Sequence, residues 1–117
     1  MFNEHLSEKY DKFGAILPVI EFINNNFNKN HSIQDYANLC NLDKYYFIKV
    51  FKEHTGVSPH LFRTKIRIEK AKEMLAGTDM TNSKIAEAVG YSNSYYFSRI
   101  FKTHTGFSPE AFRKIEK

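Results

Sequence analysis

The sequence predicts an all-α chain of seven helices, in which one helical unit is written twice around a long joining helix. Three observations carry this. Apolar residues recur at three- and four-residue spacing through most of the chain. Capping residues stand at the head of each periodic run. Residues 45–63, YYFIKVFKEHTGVSPHLFR, return as 95–113, YYFSRIFKTHTGFSPEAFR, with twelve identities over nineteen positions. No stretch alternates with period two over the length of a strand, so no sheet is expected.

The first helix is expected near 11–28, on the stripe Ile16, Ile20, Ile23 and Phe27. The second, near 32–40, starts at Ser32 and carries Ile33, Tyr36, Ala37 and Cys40. The third, near 44–55, starts after Asp43, buries Phe47, Val50, Phe51 and His54, and closes at Gly56. Ser58 and Pro59 then open a long helix over 59–76 bearing Leu61, Ile68, Ala71 and Leu75. Asn82 is read as the cap of a short helix near 83–89 with Ile85, Ala86 and Val89. Asn93 caps the next, near 94–105, which carries Phe97, Ile100, Phe101 and His104 and closes at Gly106. Ser108 and Pro109 open the last, near 109–115. The expected organisation is an N-terminal stub over 1–14, a first subdomain over 15–58, a linker helix over 59–76 and a second subdomain over 77–117.

Composition fits a globular chain: 117 residues, 42% hydrophobic and 26% charged, with eleven Phe and seven Tyr to fill a core. No apolar run reaches the roughly 18 residues of a membrane helix, and no signal-peptide pattern opens the chain. The single Cys40 cannot form an internal disulfide, which agrees with a cytoplasmic protein. Charge is unevenly placed. Residues 1–43 hold three Lys against six Asp and Glu, whereas 44–72 hold eight Lys and Arg against Glu53 and Glu69 only. Such a segment is either a solvated basic face or a footprint for phosphate, and charge alone does not separate the two.

The helix pairs themselves are more specific. Ala37 and Ala86 allow two helix backbones to approach closely. The turns that follow read Cys40-Asn41-Leu42 and Val89-Gly90-Tyr91. Asn41 and Gly90 stand in matching places, and both types accept the positive φ that such an elbow needs. The second turn is one residue longer. This is the pattern of a helix-turn-helix, whose second helix enters a DNA major groove.

With those residues in view, the chain resembles the DNA-binding domain of the AraC/XylS family of bacterial transcription regulators. The resemblance rests on IAEAVGYSNSYYFSRIFKTHTGFSPEAFR at 85–113 and RIEKAKEML at 67–75, and it covers roughly 15–115. Cys40 and Asn41 depart slightly from the family's usual turn. The resemblance implies a sequence-specific regulator that binds double-stranded DNA, with RNA polymerase as a candidate second partner and no cofactor. It also implies base contact by Tyr45, Ile48, Lys49, Ser94, Tyr95, Ser98 and Arg99. Arg99 has the fork for a guanine, and Ile48 suits a thymine methyl. Lys44, Lys52, Asn93, Lys102, Arg63 and Arg113 are expected to hold phosphates or helix ends. Tyr45 and Tyr95 have a second reading, as rings packed beside the helix pair.

A linker of about 18 helical residues is roughly 27 Å long. Two recognition helices held that far apart reach successive major-groove segments if the DNA bends or the helices tilt. One chain would then cover an asymmetric site as a monomer, and any dimerisation would come from a further N-terminal domain. Family members often carry such a domain, and this chain is read either as a stand-alone single-domain regulator or, the reading slightly favoured, as the DNA-binding part of a longer one. The competing reading is a helical protein-interaction module with an incidental basic patch.

Catalysis and metal binding have no support in the sequence. His54 and His104 repeat inside K-x-H-T-G, but equal placement in two separate units points to a helix C-terminal role. Cys40 lacks zinc spacing, Glu53-His54 is not followed by a second His at the required distance, and there is no glycine-rich phosphate loop.

Overall fold

The computed structural model describes the backbone of residues 4–116 and the side chains of residues 12–116. Seven helices follow one another: α1 (Glu4–Asn25), α2 (Ile33–Leu39), α3 (Lys44–Thr55), α4 (Pro59–Gly77), α5 (Asn82–Val89), α6 (Ser94–Thr105) and α7 (Pro109–Glu116). There is no strand among the described residues. The first helix differs most from expectation. It begins at Glu4, inside the segment read as a stub, and ends at Asn25 rather than near 28. Its buried stripe is Ile16, Val19 and Ile23, with Ile20 only half-buried.

The caps explain the boundaries. Ser32 accepts from the Asp35 amide at 3.1 Å while Asp35 Oδ2 accepts from the Ser32 amide at 2.9 Å, a reciprocal capping box. Asp43 accepts from Tyr45 and Tyr46, Asn93 from Tyr96, Ser58 from Leu61 and Ser108 from Ala111. One expected cap is displaced. Thr81, not Asn82, holds extended backbone and accepts from Lys84 N at 3.2 Å. Asn82 becomes the first helical residue and donates instead to Glu110 Oε1.

The capping box makes one stability contribution depend on pH. The Ser32 amide, then the Ser32 hydroxyl, hold the Asp35 carboxyl below its ordinary value of 3.8, with His31 adding a smaller pull. The folded pKa is the lower one, so this contribution is complete above the ordinary value and fades as pH falls through the folded one. Urea titrations of the wild type and Asp35→Asn should therefore differ near neutral pH and converge in strong acid. A difference that persists unchanged at pH 2 would refute the box.

Two compact units divide the chain: residues 1–26 with 31–63, and residues 27–30 with 64–117. By this division α4 gives residues through Arg63 to the first unit and the remainder to the second. Residues 27–30, which stand between α1 and α2 in sequence, belong with the second unit. Phe27 accordingly packs against the core of Ile68, Ala71, Leu75, Ile85, Ala86, Val89, Phe97 and Phe101.

Within the first unit, α1 packs on α2 and α3, and the buried residues are Ile16, Val19, Ile23, Tyr36, Ala37, Phe47, Val50 and Phe51. Phe51 meets Phe47 at 5.6 Å and the edge of Phe62 at 5.3 Å. The second unit repeats the arrangement, with Phe101 at 5.8 Å from Phe97 and 5.5 Å from Phe112. The repeated phenylalanines are therefore one aromatic wedge, built twice.

Candidate nucleic-acid interface

Each unit makes the same elbow. Asn41 has φ 55° and Gly90 φ 111°, as their types allow. Leu42 N donates to Ala37 O at 3.1 Å, and Tyr91 N to Ala86 O at 2.8 Å. The preceding amides close on Asn38 O and Glu87 O. Both elbows are thus Schellman closures, which satisfy the last carbonyls of the first helix and turn the chain sharply into the second. Asp43 stops the first elbow two residues after Asn41, and Asn93 stops the second three residues after Gly90, with Ser92 as the inserted residue.

The far end of each second helix is also a copied device. Thr55 Oγ1 lies 2.8 Å from both Phe51 O and Val57 O, and Val57 N donates back to it at 3.3 Å. Thr105 does the same with Phe101 and Phe107. The T-G-x-S-P run is therefore a helix exit, a left-handed glycine and the next helix start in five residues. The His54 ring meets Phe13 at 5.2 Å, tilted by 55°. His104 departs from its copy. It is exposed and borders a shallow pocket with Lys65, Ile68, Glu69 and Lys72.

With one face of α3 and α6 committed to packing, the opposite face is open. On α3, Tyr45 is 76% exposed, Lys44, Lys49 and Lys52 are exposed, and Ile48 is half-buried. The Lys44 ammonium lies 5.8 Å over the Tyr45 ring. On α6, Tyr95 is 73% exposed, Ser94, Arg99 and Lys102 are exposed, and Ser98 is half-buried. Tyr45 and Tyr95 thus stand in solvent instead of packing beside the helix pair. Ser98 donates its hydroxyl to Ser94 O at 3.0 Å, which leaves its oxygen as an acceptor.

Two of the expected phosphate ligands are otherwise engaged. Arg63 is 8% exposed and donates to His31 O at 2.8 Å and the Tyr36 hydroxyl at 3.1 Å. Arg113 donates to Leu75 O at 3.2 Å and to Met80 O. His31 and Met80 each immediately precede an N-cap, Ser32 and Thr81. Both arginines therefore pin the last helix of a unit to the start of its helix-turn-helix. For Arg113 the helix-end role holds, since Leu75 lies in the last turn of α4. In both, part of the guanidinium is taken up by internal acceptors. Asn93 is partly committed too, its carbonyl oxygen capping α6 at 3.0 Å from Tyr96 N.

A second buried arginine is Arg67. It is 3% exposed and is also absorbed by the fold. The basic segment 44–72 consequently presents lysines alone to solvent. Of these, Lys72 pairs with Glu69 at 2.9 Å and Lys70 with Glu73 at 3.8 Å. Burial raises the pKa of the half-buried Cys40 thiol. Among the described residues no His, Cys, Asp or Glu cluster could hold a metal, and no helix is long and apolar enough to cross a membrane.

Two helix-turn-helix units, each presenting an open second helix, define a helix-turn-helix domain, and residues 36–115 match the family model described as a helix-turn-helix domain. The chain belongs to the AraC family of these domains, which are the DNA-binding parts of transcriptional regulators. It is 34% identical over 74 residues to the lactose operon transcription activator of Staphylococcus xylosus, a match covering 63% of this chain and 26% of that protein. It is 35% identical over 75 residues to the raffinose operon transcriptional regulatory protein RafR of Pediococcus pentosaceus, covering 64% and 27%. Among solved structures, the C-terminal domain of AraT, a response regulator from Geobacillus stearothermophilus, is similar with TM-score 0.83 and 32% identity over 86% of this chain and 84% of that one. The match spans only about a quarter of each of those two operon regulators.

Proposed function

We propose that this domain binds one asymmetric double-stranded DNA site as a monomer, with α3 and α6 inserted in successive major-groove segments, and regulates transcription from it. The observation that carries this is the pairing of identical scaffolds with different open faces. The wedge, elbow and exit are copied, while Ile48 stands where Ser98 does and Lys49 where Arg99 does. Two heads built alike but lettered differently suit two different half-sites. Arg99 reads a guanine through its fork, Ile48 meets a thymine methyl, and the free Ser98 oxygen accepts from an adenine or cytosine amine. Lys44, Lys52 and Lys102 supply phosphate contacts, with the Asn93 amide nitrogen beside them.

On this reading the domain is a binding module and not an enzyme, it works in the cytoplasm, and RNA polymerase is its second partner. Dimerisation, where it occurs, arises outside the domain.

Selection of bound duplexes from a random pool tests the proposal, and a bipartite motif with half-sites about 10 base pairs apart is expected. On the selected site, Arg99→Ala should cost about 1–3 kcal/mol and relax preference at one position. Lys52→Ala should weaken all duplexes alike and reduce the salt slope by about one. Binding that is indifferent to salt and sequence would leave a protein-interaction module as the function.

A further inference from the structure

The Arg67 guanidinium sits at a junction of elements far apart in sequence. Its Nε donates to Phe27 O at 2.6 Å, and its Nη2 donates to Lys29 O at 3.1 Å and Asn30 Oδ1 at 2.8 Å. Asn30 in turn directs its amide nitrogen at Gly90 O, 3.4 Å away. The guanidinium lies 4.9 Å over the Tyr91 ring. It approaches the elbow so closely that a Cβ on Gly90 would stand 2.7 Å from Arg67 Cζ and Nη2 and 2.9 Å from Asn28 O. Tyr91 continues the chain of contacts into the recognition helix, meeting Tyr96 at 5.8 Å and Phe97 at 5.9 Å.

We propose that Arg67 and Asn30 are positioning residues for DNA reading, a latch through which the 27–30 segment sets the angle at which α6 leaves its elbow. The inference rests on the DNA-reading function proposed above. Its physical basis is that the second elbow has a glycine and an inserted Ser92, which leave the α5–α6 angle soft. A buried charged fork, by contrast, is stiff, because each of its hydrogen bonds is charge-assisted and planar in geometry. Tyr91 carries that fork over its ring and also meets Tyr96 and Phe97 of α6, so a shift of the fork is passed to the helix. The first unit has Leu42 where the second has Tyr91, and a leucine offers no ring face to a guanidinium. The latch is thus particular to the second head, and its effect should be confined to one half-site.

The test compares the wild type, Asn30→Ala, Asn30→Asp and Arg67→Lys, using amide hydrogen exchange on the free domain and affinities for three duplexes. These are the selected site and versions with either half scrambled. Asn30 is exposed, so its truncation leaves no cavity and the variant folds. Asn30→Ala and Arg67→Lys should speed exchange at residues 90–97 and weaken the intact site about tenfold. They should change nothing on the duplex already scrambled at the α6 half, while preference at the α3 half stays intact. Asn30→Asp keeps an acceptor for Arg67 and should largely restore the wild-type ratio. Equal loss at both halves, or normal binding despite faster exchange, overturns the latch. A wild type that prefers no duplex overturns the DNA-reading function itself, and with it any latch that serves it, a result that no variant is needed to see.

Discussion

Truncating Phe101 to Ala is expected to lower the stability of the domain by about 3–5 kcal/mol, the range for removing a fully buried phenylalanine. Phe101 is 0% exposed and is the middle ring of the wedge that joins α6 to α7 through Phe97 and Phe112. Its loss removes the transfer free energy of a benzyl group and opens a cavity between rings that are held from both sides. A domain of this size has about 5–15 kcal/mol in total, so the variant should be close to unfolding at 37 °C. The readout is urea denaturation, with the midpoint falling and the slope unchanged. Tyr95→Ala on the same helix is the control, since its ring is 73% exposed and its removal should shift stability by no more than about 0.5 kcal/mol. Equal effects from the two substitutions would mean that α6 does not face the core as described.

Gly90→Ala should cost about 2–5 kcal/mol and should also disturb the second head. Two penalties add. At φ 111° an L-residue is strained, at about 1–2 kcal/mol even within the left-handed well. The new methyl would also stand 2.7 Å from the Arg67 fork, which its hydrogen bonds hold in place, and 2.9 Å from Asn28 O, a backbone atom. Relief requires the 27–30 segment to move, with overpacking of about 1–3 kcal/mol as the alternative. The matching change in the first unit provides the contrast. Asn41 has φ 55° inside the left-handed well, so Asn41→Gly should be tolerated within a few tenths of a kcal/mol. Thermal melts of the two variants check both statements, and a Gly90→Ala domain as stable as wild type would sink the description of the elbow.

Much of the architecture was legible because its causes are local. The span of α3, the elbow at Asn41, the caps Ser32, Asp43 and Asn93, and the exits at Gly56 and Gly106 depend on residues within one turn of each other. The copied stretch sharpened this, since a shared letter marks the scaffold and an unshared one marks the open face. Where neighbours were chemically equivalent, local reasoning could not choose. Thr81 and Asn82 both suit an N-cap, and the register that hands Asn82 to Glu110 is decided 28 residues away.

The three arginines mark the limit most clearly. By composition, Arg63, Arg67 and Arg113 are cations beside other cations, and a phosphate role is expected of Arg63 and Arg113. In the folded chain their acceptors are His31 O, Phe27 O and Met80 O, backbone carbonyls that carry no sequence signature. One signal was present. Arg63 and Arg113 are copied along with the phenylalanines of the scaffold, not varied along with the open face, and that placed them with the structural letters.

By itself the sequence determined that the chain is helical, where most of its helices after α1 start and stop, and that one helix-turn-helix is built twice. Periodicity and capping act over three or four residues, so they can be read along the chain. Tertiary structure alone decided that residues 27–30 and Phe27 join the second unit, that α4 is shared at Arg63, and that buried guanidiniums hold the helix starts together. Those outcomes depend on which distant carbonyls meet which donors once the cores have closed, and a backbone carbonyl is the same in every residue.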